Sequence, residues 1–229
     1  MTTSSDWYFE RSLPDLNEEE AAQIRDFQCL YYDRWRKGGG TYDVSWLGHQ
    51  TVKTPNDLII YQEIISQLRP DVIIETGTRW GGSALFLASI CDLIGNGQVV
   101  TVDVEDSVKR PEHPRVSYIL GSSIDPKVFE IARSYAASGK SVMAILDSDH
   151  SATHVAVELS MYADLVSIGQ YLIVEDTNIN GHPVRPEFGP GPWEAVEEFL
   201  EVDTRYVRDE QRERFLITAS PGGFLKRVV

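Results

Sequence analysis

Two short runs hold most of the chemistry this sequence offers. "AILDSDH" contains Asp147, Asp149 and His150, and "LIVEDT" contains Glu175 and Asp176. Each closes a strongly apolar stretch, so each is expected at the end of a buried strand. Four carboxylates brought together repel one another unless protons or a cation intervene. Oxygen donors without cysteine suit Mg²⁺, with Ca²⁺ and Mn²⁺ as alternatives. A cation there has a use: it can bind a hydroxyl, lower its pKa and aim the oxygen at an electrophile. His150 is the candidate general base, with orienting a carboxylate or binding the cation as competing roles. Asp147, at the strand end, counts both among the cation ligands and among the groups at the reaction centre. His154, one helical turn on, reads as an ordinary helix residue.

A second constellation lies upstream in "VIIETGTRWGGSALF", residues 72–86. An apolar strand pattern runs through an acid and a glycine-rich turn into a helix pattern. The spacing is E-x-G-x-x-x-G-G, so it is neither the dinucleotide fingerprint nor a Walker loop. A carboxylate beside the loop would repel a pyrophosphate and attract a sulfonium or ammonium. Glu75, Gly77, Thr78, Arg79, Gly82 and Ser83 are therefore the expected clamp for the cationic methionine end of S-adenosylmethionine. In "VVTVDVE", Asp103 is placed to accept from both ribose hydroxyls, with Glu105 as backup. Ser122 and Ser123, in "LGSS", fall where an adenine edge would lie, and Ser123 could equally cap the next helix.

The elements that must position these groups follow from periodicity. Helices are expected over Asn17 to Trp35 and Asn56 to Leu68. From there strands and helices alternate: "DVIIETG", "GGSALFLASICDL", "GNGQVVTVDVE", "RVSYILGSS", "DPKVFEIARSYAAS", "KSVMAILDSD", "SATHVAVELSMYADLV", "GQYLIVEDTN". The strands are apolar on both faces, as in a parallel sheet covered by helices. After a Gly/Pro-rich loop comes the helix "PWEAVEEFLE". Two late strands, "RFLITAS" and "FLKRVV", are expected to close the chain as a hairpin through "PGG", with "RYVRDE" either a short strand or a loop. An α/β, Rossmann-like sheet of seven mostly parallel strands, with an antiparallel last strand and helices on both faces, is the expected fold. By fold analogy a terminal hairpin of this kind suggests methyltransferases. Residues 1–50 form an N-terminal helical or irregular extension, a lid or subunit contact, and residues 51–229 the catalytic domain.

The loop "TNINGHPVRPEFGPGPW" follows the second acidic run and is expected to line the acceptor pocket, with His182, Arg185 and Trp193 as contacts. Aromatics from Tyr31 to Trp35 are read as another wall or a subunit contact, and a homo-oligomer is expected. "SWLGHQTVKTP" is a candidate lid, offering Trp46 and His49.

A net charge of −14 argues against nucleic acid and anionic membranes as partners. No apolar run is long enough to span a bilayer, and the acidic start does not read as a signal peptide. Cys29 and Cys91 make neither a disulfide framework nor a zinc pattern, which fits a reducing, cytoplasmic setting.

"IIETGTRWGGSALFLA", "LDSDH", "LIVEDT" and "PGGFLKR" together resemble the cephalosporin hydroxylase / rhamnosyl O-methyltransferase family, a branch of the catechol O-methyltransferase type. The resemblance covers roughly residues 50–229. It implies a class I methyltransferase. It puts Glu75, Gly77 and Ser83 on the methionine loop, Asp103 on the ribose, and Glu175 and Asp176 on the metal. The catechol type makes Asp147 the first metal ligand, whereas the closer family points to Asp149. His150 sits where the catechol type has its lysine base. The expected activity is Mg²⁺-assisted, S-adenosylmethionine-dependent methylation of a hydroxyl on a small acceptor, such as a sugar of a natural product or glycan. A phenolic or β-lactam scaffold, or a non-catalytic partner subunit, are the alternatives.

Overall fold

The computed structural model describes residues 16–37 and 44–229. The extension's first fifteen residues and the "GGGTYD" stretch after the first helix lie outside that range. Helix α1 spans Glu18–Lys37. Asn17 opens it with reciprocal bonds: its side chain accepts from Glu20 N (2.9 Å), and Glu20 accepts from Asn17 N (2.9 Å). A small hairpin follows, β1 (Ser45–Trp46) and β2 (His49–Gln50). Helix α2, Pro55–Leu68, starts where Thr54 accepts from Asp57 N and Pro55 supplies the preset φ. It ends at Arg69 in the left-handed conformation (φ 47°).

The alternation then runs β3 (Val72–Thr76), α3 (Gly82–Ile94), β4 (Gln98–Asp103), β5 (Val116–Leu120), α4 (Pro126–Ala136), β6 (Val142–Leu146), α5 (Ala152–Tyr162) and β7 (Tyr171–Val174). Helix α6 (Pro192–Val202), β8 (Tyr206–Arg208) and β9 (Phe224–Arg227) complete it. The seven-stranded sheet has the order β5-β4-β3-β6-β7-β9-β8. Strands β3 to β7 are parallel, and β9 inserts antiparallel between β7 and β8. The reversal of strand order at β3/β6 opens a crevice above the carboxyl ends of the strands.

Both faces of the sheet are buried. Ile73, Val99, Met143 and Ile145 pack with α2 and α3, while Ile74, Val100, Val102 and Leu146 pack with α4, α5 and α6. This is why the strand sequences read as unbroken apolar runs. No helix among the described residues is long and apolar enough to cross a membrane.

The end of the chain differs from expectation. "RYVRDE" contributes strand β8, and "RFLITAS" forms no strand. Strand β9 already has β7 on one side and β8 on the other, so it offers no free side to residues 214–220. Their polar groups turn to α2 instead. Thr218 Oγ1 and Ala219 N donate to the buried Asp57 carboxylate (2.6 and 2.9 Å), and Arg214 pairs with Glu63.

Glu213, just before this segment, accepts from Gly222 N at 2.8 Å. Burial outweighs that bond and pushes its carboxyl up to about 7. The folded chain thus holds this proton more tightly than the unfolded one, whose carboxyl sits near ~4.3. The associated stability is present below that value and disappears as pH rises toward about 7. Glu213→Gln should flatten the pH dependence of stability across that window. It should also stabilise the protein at about pH 8 by something on the order of 1–3 kcal/mol, read by urea unfolding.

Candidate functional site

The cleft above the strand ends encloses about 760 Å³. Its floor is the turn between β3 and α3. Gly77 (φ 85°) has room for no side chain, because a Cβ there would meet the Asp147 carbonyl oxygen at 1.8 Å. Gly82 meets a different neighbour: a Cβ would strike the Gln50 carbonyl at 2.1 Å, so this glycine lets the β1–β2 hairpin approach the start of α3. Trp46 fastens that hairpin, packing edge-on against Phe86 at 5.0 Å and donating to Ser89 Oγ at 3.0 Å. Gln50 and Val52, rather than Trp46 or His49, line the cleft.

Gly77, Thr78, Arg79, Gly82 and Ser83 all line it as expected, and Glu75 does not. The Glu75 carboxylate is fully buried below the turn. Its Oε2 accepts from Thr101 Oγ1 (2.7 Å), which is itself bonded to Thr78 Oγ1 (2.6 Å). Burial pushes its pKa up, while Lys53, Ser83 and Thr101 pull it down. Its other oxygen has no hydrogen-bond partner among the described residues. Glu75 therefore lies beneath the turn, behind the cleft wall rather than in it.

Asp103 ends β4 and faces the cleft. Its Oδ2 accepts from Arg79 N (2.6 Å) and its Oδ1 from Glu105 N (2.8 Å), which fix the rotamer. Gly121, Ser122 and Ser123 form the next stretch of wall, with Ser148 and His154 beside Ser123. His154 belongs to the site after all. Its Nε2 lies 3.0 Å from Ser123 Oγ and 3.1 Å from Ser148 Oγ. The Glu158 carboxylate, 3.7 Å from Nε2, raises its pKa above the ordinary histidine value.

The two acidic runs meet as the parallel sheet requires, but not all four carboxylates converge. Asp147, His150 and Asp176 each offer a ligand atom within 4.8 Å of the others. His150 Nε2 is 3.1 Å from Asp176 Oδ2. Asp149 does not join them: its Oδ1 accepts from Ser151 N (2.8 Å) and Oγ (2.6 Å) at the entry to α5. Glu175 points into the core, because successive residues leaving a strand face opposite ways. Its Oε1 accepts from Tyr61 Oη (2.8 Å).

The residue that organises this region has no signature in the sequence. Lys53 is 3 % exposed, and its Nζ reaches Asp147 Oδ2 at 2.5 Å and Glu175 Oε1 at 2.6 Å. Burial alone would lower its pKa, yet Asp147, Glu175 and Glu75 outweigh burial and hold the ammonium above its usual range. Burial, together with Asp147, pushes Glu175 well above the usual carboxylate range. A lysine one residue before a helix cap is by default a solvated one, so nothing in "TVKTP" marks it.

The acceptor side also departs from expectation. His182 stacks on Trp193 (4.6 Å) and bonds Glu194 (3.0 Å), and neither aromatic lines the cleft. The reason is local: Glu194 serves Gly191 N at the start of α6 and draws Asn180 and His182 onto the helix end. Arg185 stands over Phe188 (4.7 Å) and is likewise absent from the cleft wall. The wall is aromatic nonetheless, from Trp80 and from Trp35 on α1. Tyr32 of α1 packs with Ile179 and Val184 of the post-β7 loop, which seats that helix beside the site.

Comparison with known proteins agrees with this architecture. The model of the family "Rhamnosyl O-methyltransferase/CmcI" matches residues 39–228. A rhamnosyl O-methyltransferase of Mycobacterium bovis (strain BCG / Pasteur 1173P2) is 43% identical over 204 residues, 86% of this chain and 83% of that protein. The protein of the same description from Mycobacterium leprae (strain TN) is 39% identical, covering 86% of this chain and 89% of its own. Among solved structures, CmcI with Mg and SAM superposes with a TM-score of 0.64 at 22% identity, covering 86% of this chain and 84% of that one. A putative caffeoyl-CoA O-methyltransferase from Staphylococcus aureus gives 0.51 at 16% identity, covering 85% and 93%. The switch-point cleft, the inserted antiparallel strand and these matches agree: the chain belongs to the rhamnosyl O-methyltransferase/CmcI family of S-adenosylmethionine-dependent O-methyltransferases.

Proposed function

We propose that this protein transfers a methyl group from S-adenosylmethionine to a hydroxyl of a sugar, with a divalent cation held by Asp147 and Asp176. The observation that carries the reading is that Asp147, His150 and Asp176 line the same cleft as Gly77, Ser83 and Asp103. The donor set fits a divalent cation: two carboxylates and an imidazole, clustered and accessible from the cleft. When bound, the cofactor supplies a sulfonium methyl, and the cation supplies Lewis acidity toward the acceptor hydroxyl.

The protein's own groups do the rest. Asp103, with its rotamer fixed, receives the ribose hydroxyls. Glu75, buried beneath the turn, biases the cleft toward a cationic ligand without touching it. Lys53 balances the charge behind Asp147 and leaves that carboxylate one face for the cleft. His150, oriented by Asp176, takes the hydroxyl proton as the oxygen forms its bond to the methyl carbon and the carbon–sulfur bond breaks. Trp35 and Trp80 offer flat apolar walls for the faces of a pyranose. The sugar acceptor is supported by the relatives' description as rhamnosyl O-methyltransferases. MycE, a methyltransferase of similar fold (TM-score 0.51), has been solved with Mg, SAH and mycinamycin VI.

A second role for His150, as third cation ligand, is favoured by the clustering of its nitrogen with the two carboxylates. The roles diverge in one measurement. His150→Ala leaves Mn²⁺ affinity within about twofold if the residue is the base, and weakens it about tenfold or more if it is a ligand.

Labelled-methyl transfer to a rhamnoside and to a catechol, each with Mg²⁺ or EDTA, tests the whole. Transfer to the rhamnoside that EDTA abolishes is the expected result. Transfer to the catechol alone removes the sugar acceptor from the reading, and transfer indifferent to EDTA removes the cation.

A further inference from the structure

Arg110 lies on the loop between β4 and β5, has a side chain 11% exposed, and does not line the cleft. Its bonds single it out. Nε donates to the Arg79 carbonyl oxygen at 2.9 Å, and Nη2 donates to the Glu105 carbonyl oxygen at 2.5 Å. Arg79 and Glu105 are the same two residues whose backbone N–H groups hold the Asp103 carboxylate, one on each oxygen.

We propose that Arg110 is a positioning residue for cofactor binding: its guanidinium clamps the two backbone segments that aim Asp103 at the ribose hydroxyls. The inference rests on the S-adenosylmethionine reading above and adds the group that keeps the ribose acid in place.

The two segments belong to different loops. Arg79 sits in the turn between β3 and α3, and Glu105 in the chain leaving β4. Asp103 ties them through their N–H groups, and Arg110 ties them through their carbonyls. A guanidinium presents its donors in a rigid planar fork, so it fixes the spacing of the two carbonyls as well as binding them. Arg79 needs such a hold. Its φ of 45° is in the left-handed region, which a residue with a side chain keeps only where its surroundings over-determine it. Nη2 also lies 3.7 Å from Asp103 Oδ2, so the clamp sets a cation behind the carboxylate.

The clamp is itself anchored. The guanidinium carbon stands 5.8 Å from the ring centre of Tyr118 on β5, and Tyr118 Oη donates to the Pro111 carbonyl at 2.7 Å. The glycine turn lies close against the same loop: a Cβ on Gly81 would meet Pro111 Cδ at 2.9 Å. Without Arg110, the Arg79 and Glu105 segments are free to separate, and Asp103 loses the fixed aim that two hydroxyls require of one carboxylate.

Isothermal titration on the full chain tests this with S-adenosylhomocysteine and its 2′,3′-dideoxy counterpart, which lacks the hydroxyls that Asp103 would accept. The wild type should prefer S-adenosylhomocysteine by about tenfold or more. Arg110→Ala should weaken S-adenosylhomocysteine by about fivefold or more and the dideoxy compound by less than about twofold. Arg110→Lys keeps the charge and loses the fork, so its preference should fall by about threefold or more. This variant carries the test if the alanine variant fails to fold. In an Asp103→Ala background, adding Arg110→Ala should change S-adenosylhomocysteine affinity by less than about twofold, because the group it positions is gone. Equal weakening of both compounds in Arg110→Ala is what a merely structural role gives, and it overturns the proposal. A wild-type preference retained in Arg110→Lys overturns it too. Either result leaves the cofactor reading intact. Equal binding of the two compounds by the wild type removes Asp103 from the ribose and the clamp with it, and no binding of S-adenosylhomocysteine removes the cofactor reading as well.

Discussion

Asp176→Ala is expected to lower kcat/KM for methyl transfer by about a thousandfold or more while leaving S-adenosylhomocysteine affinity within about threefold. Asp176 is the carboxylate whose removal separates chemistry from folding most cleanly. It stands two residues after the end of β7, in the left-handed region (φ 53°), with its Oδ2 3.1 Å from His150 Nε2. Its side chain is 26% exposed and takes no part in the buried Lys53 cluster, so no buried charge is orphaned by its loss. Alanine in that backbone conformation carries a cost of its own of about 1 kcal/mol, whereas asparagine tolerates it. Asp176→Asn therefore serves as the paired variant: same shape, same backbone, one negative charge fewer. Both should lose Mn²⁺ binding by titration, and the asparagine variant should retain wild-type unfolding. Activity within about tenfold of wild type in both variants would remove Asp176 from the reaction centre.

Lys53→Met should be the most destabilising single change near the site, costing about 3–5 kcal/mol. The methionine matches the length of the aliphatic stem and removes only the charge. What remains is Asp147 and Glu175 without their cation, in a region where Lys53 is 3 % and Glu175 4 % exposed. Urea unfolding reads the loss. Adding Glu175→Gln should recover part of it, with a coupling energy above about 1 kcal/mol, because the second change removes one of the orphaned charges.

The pH dependence has a definite sign. In the wild type Lys53 titrates higher when folded than when unfolded, so its contribution is complete below the unfolded value of about 10.4. No loss from this group is expected across the neutral range. In Lys53→Met the carboxylates are still raised by burial. Stability is then greater at low pH, where they hold protons, and falls as pH rises. The deficit relative to wild type should be larger at about pH 8 than at about pH 5. A Lys53→Met protein as stable as wild type at both would show that the ammonium is dispensable to the cluster.

Much of this site is legible in the chain because parallel sheets are regular. Strand ends in an α/β sheet point to one side, so "VIIETG", "VTVD", "LGSS", "LDSDH" and "LIVEDT" had to meet once they were recognised as strands followed by turns. Loop spacing excluded the dinucleotide and triphosphate cradles without any coordinates. The failures have a common cause. Whether Glu175 or Asp176 faces the cleft depends on the pleat at the last residue of β7, and a shift of one residue exchanges them. Asp149 turns away because Ser151 offers its backbone and hydroxyl at the entry to α5. His182 and Trp193 leave the cleft because Glu194 holds His182 at the head of α6. The expected strand "RFLITAS" has an apolar pattern, but the place beside β9 that a terminal hairpin would give it is taken by β8.

The sequence by itself determined the alternation of strands and helices, the turn at Gly77, the placing of Asp103 at the end of β4 and the meeting of two acidic strand ends. These follow from local periodicity and from residue types with few conformational options. Only the tertiary structure decided that Lys53 crosses 94 residues of chain to reach Asp147, and that Tyr61 closes over Glu175. It also brought His154 and the buried Glu158 within hydrogen-bond distance of Ser148. Those choices belong to burial and charge balance. A buried carboxylate must find its donor wherever the packed chain supplies one, and spacing along the sequence carries no record of that.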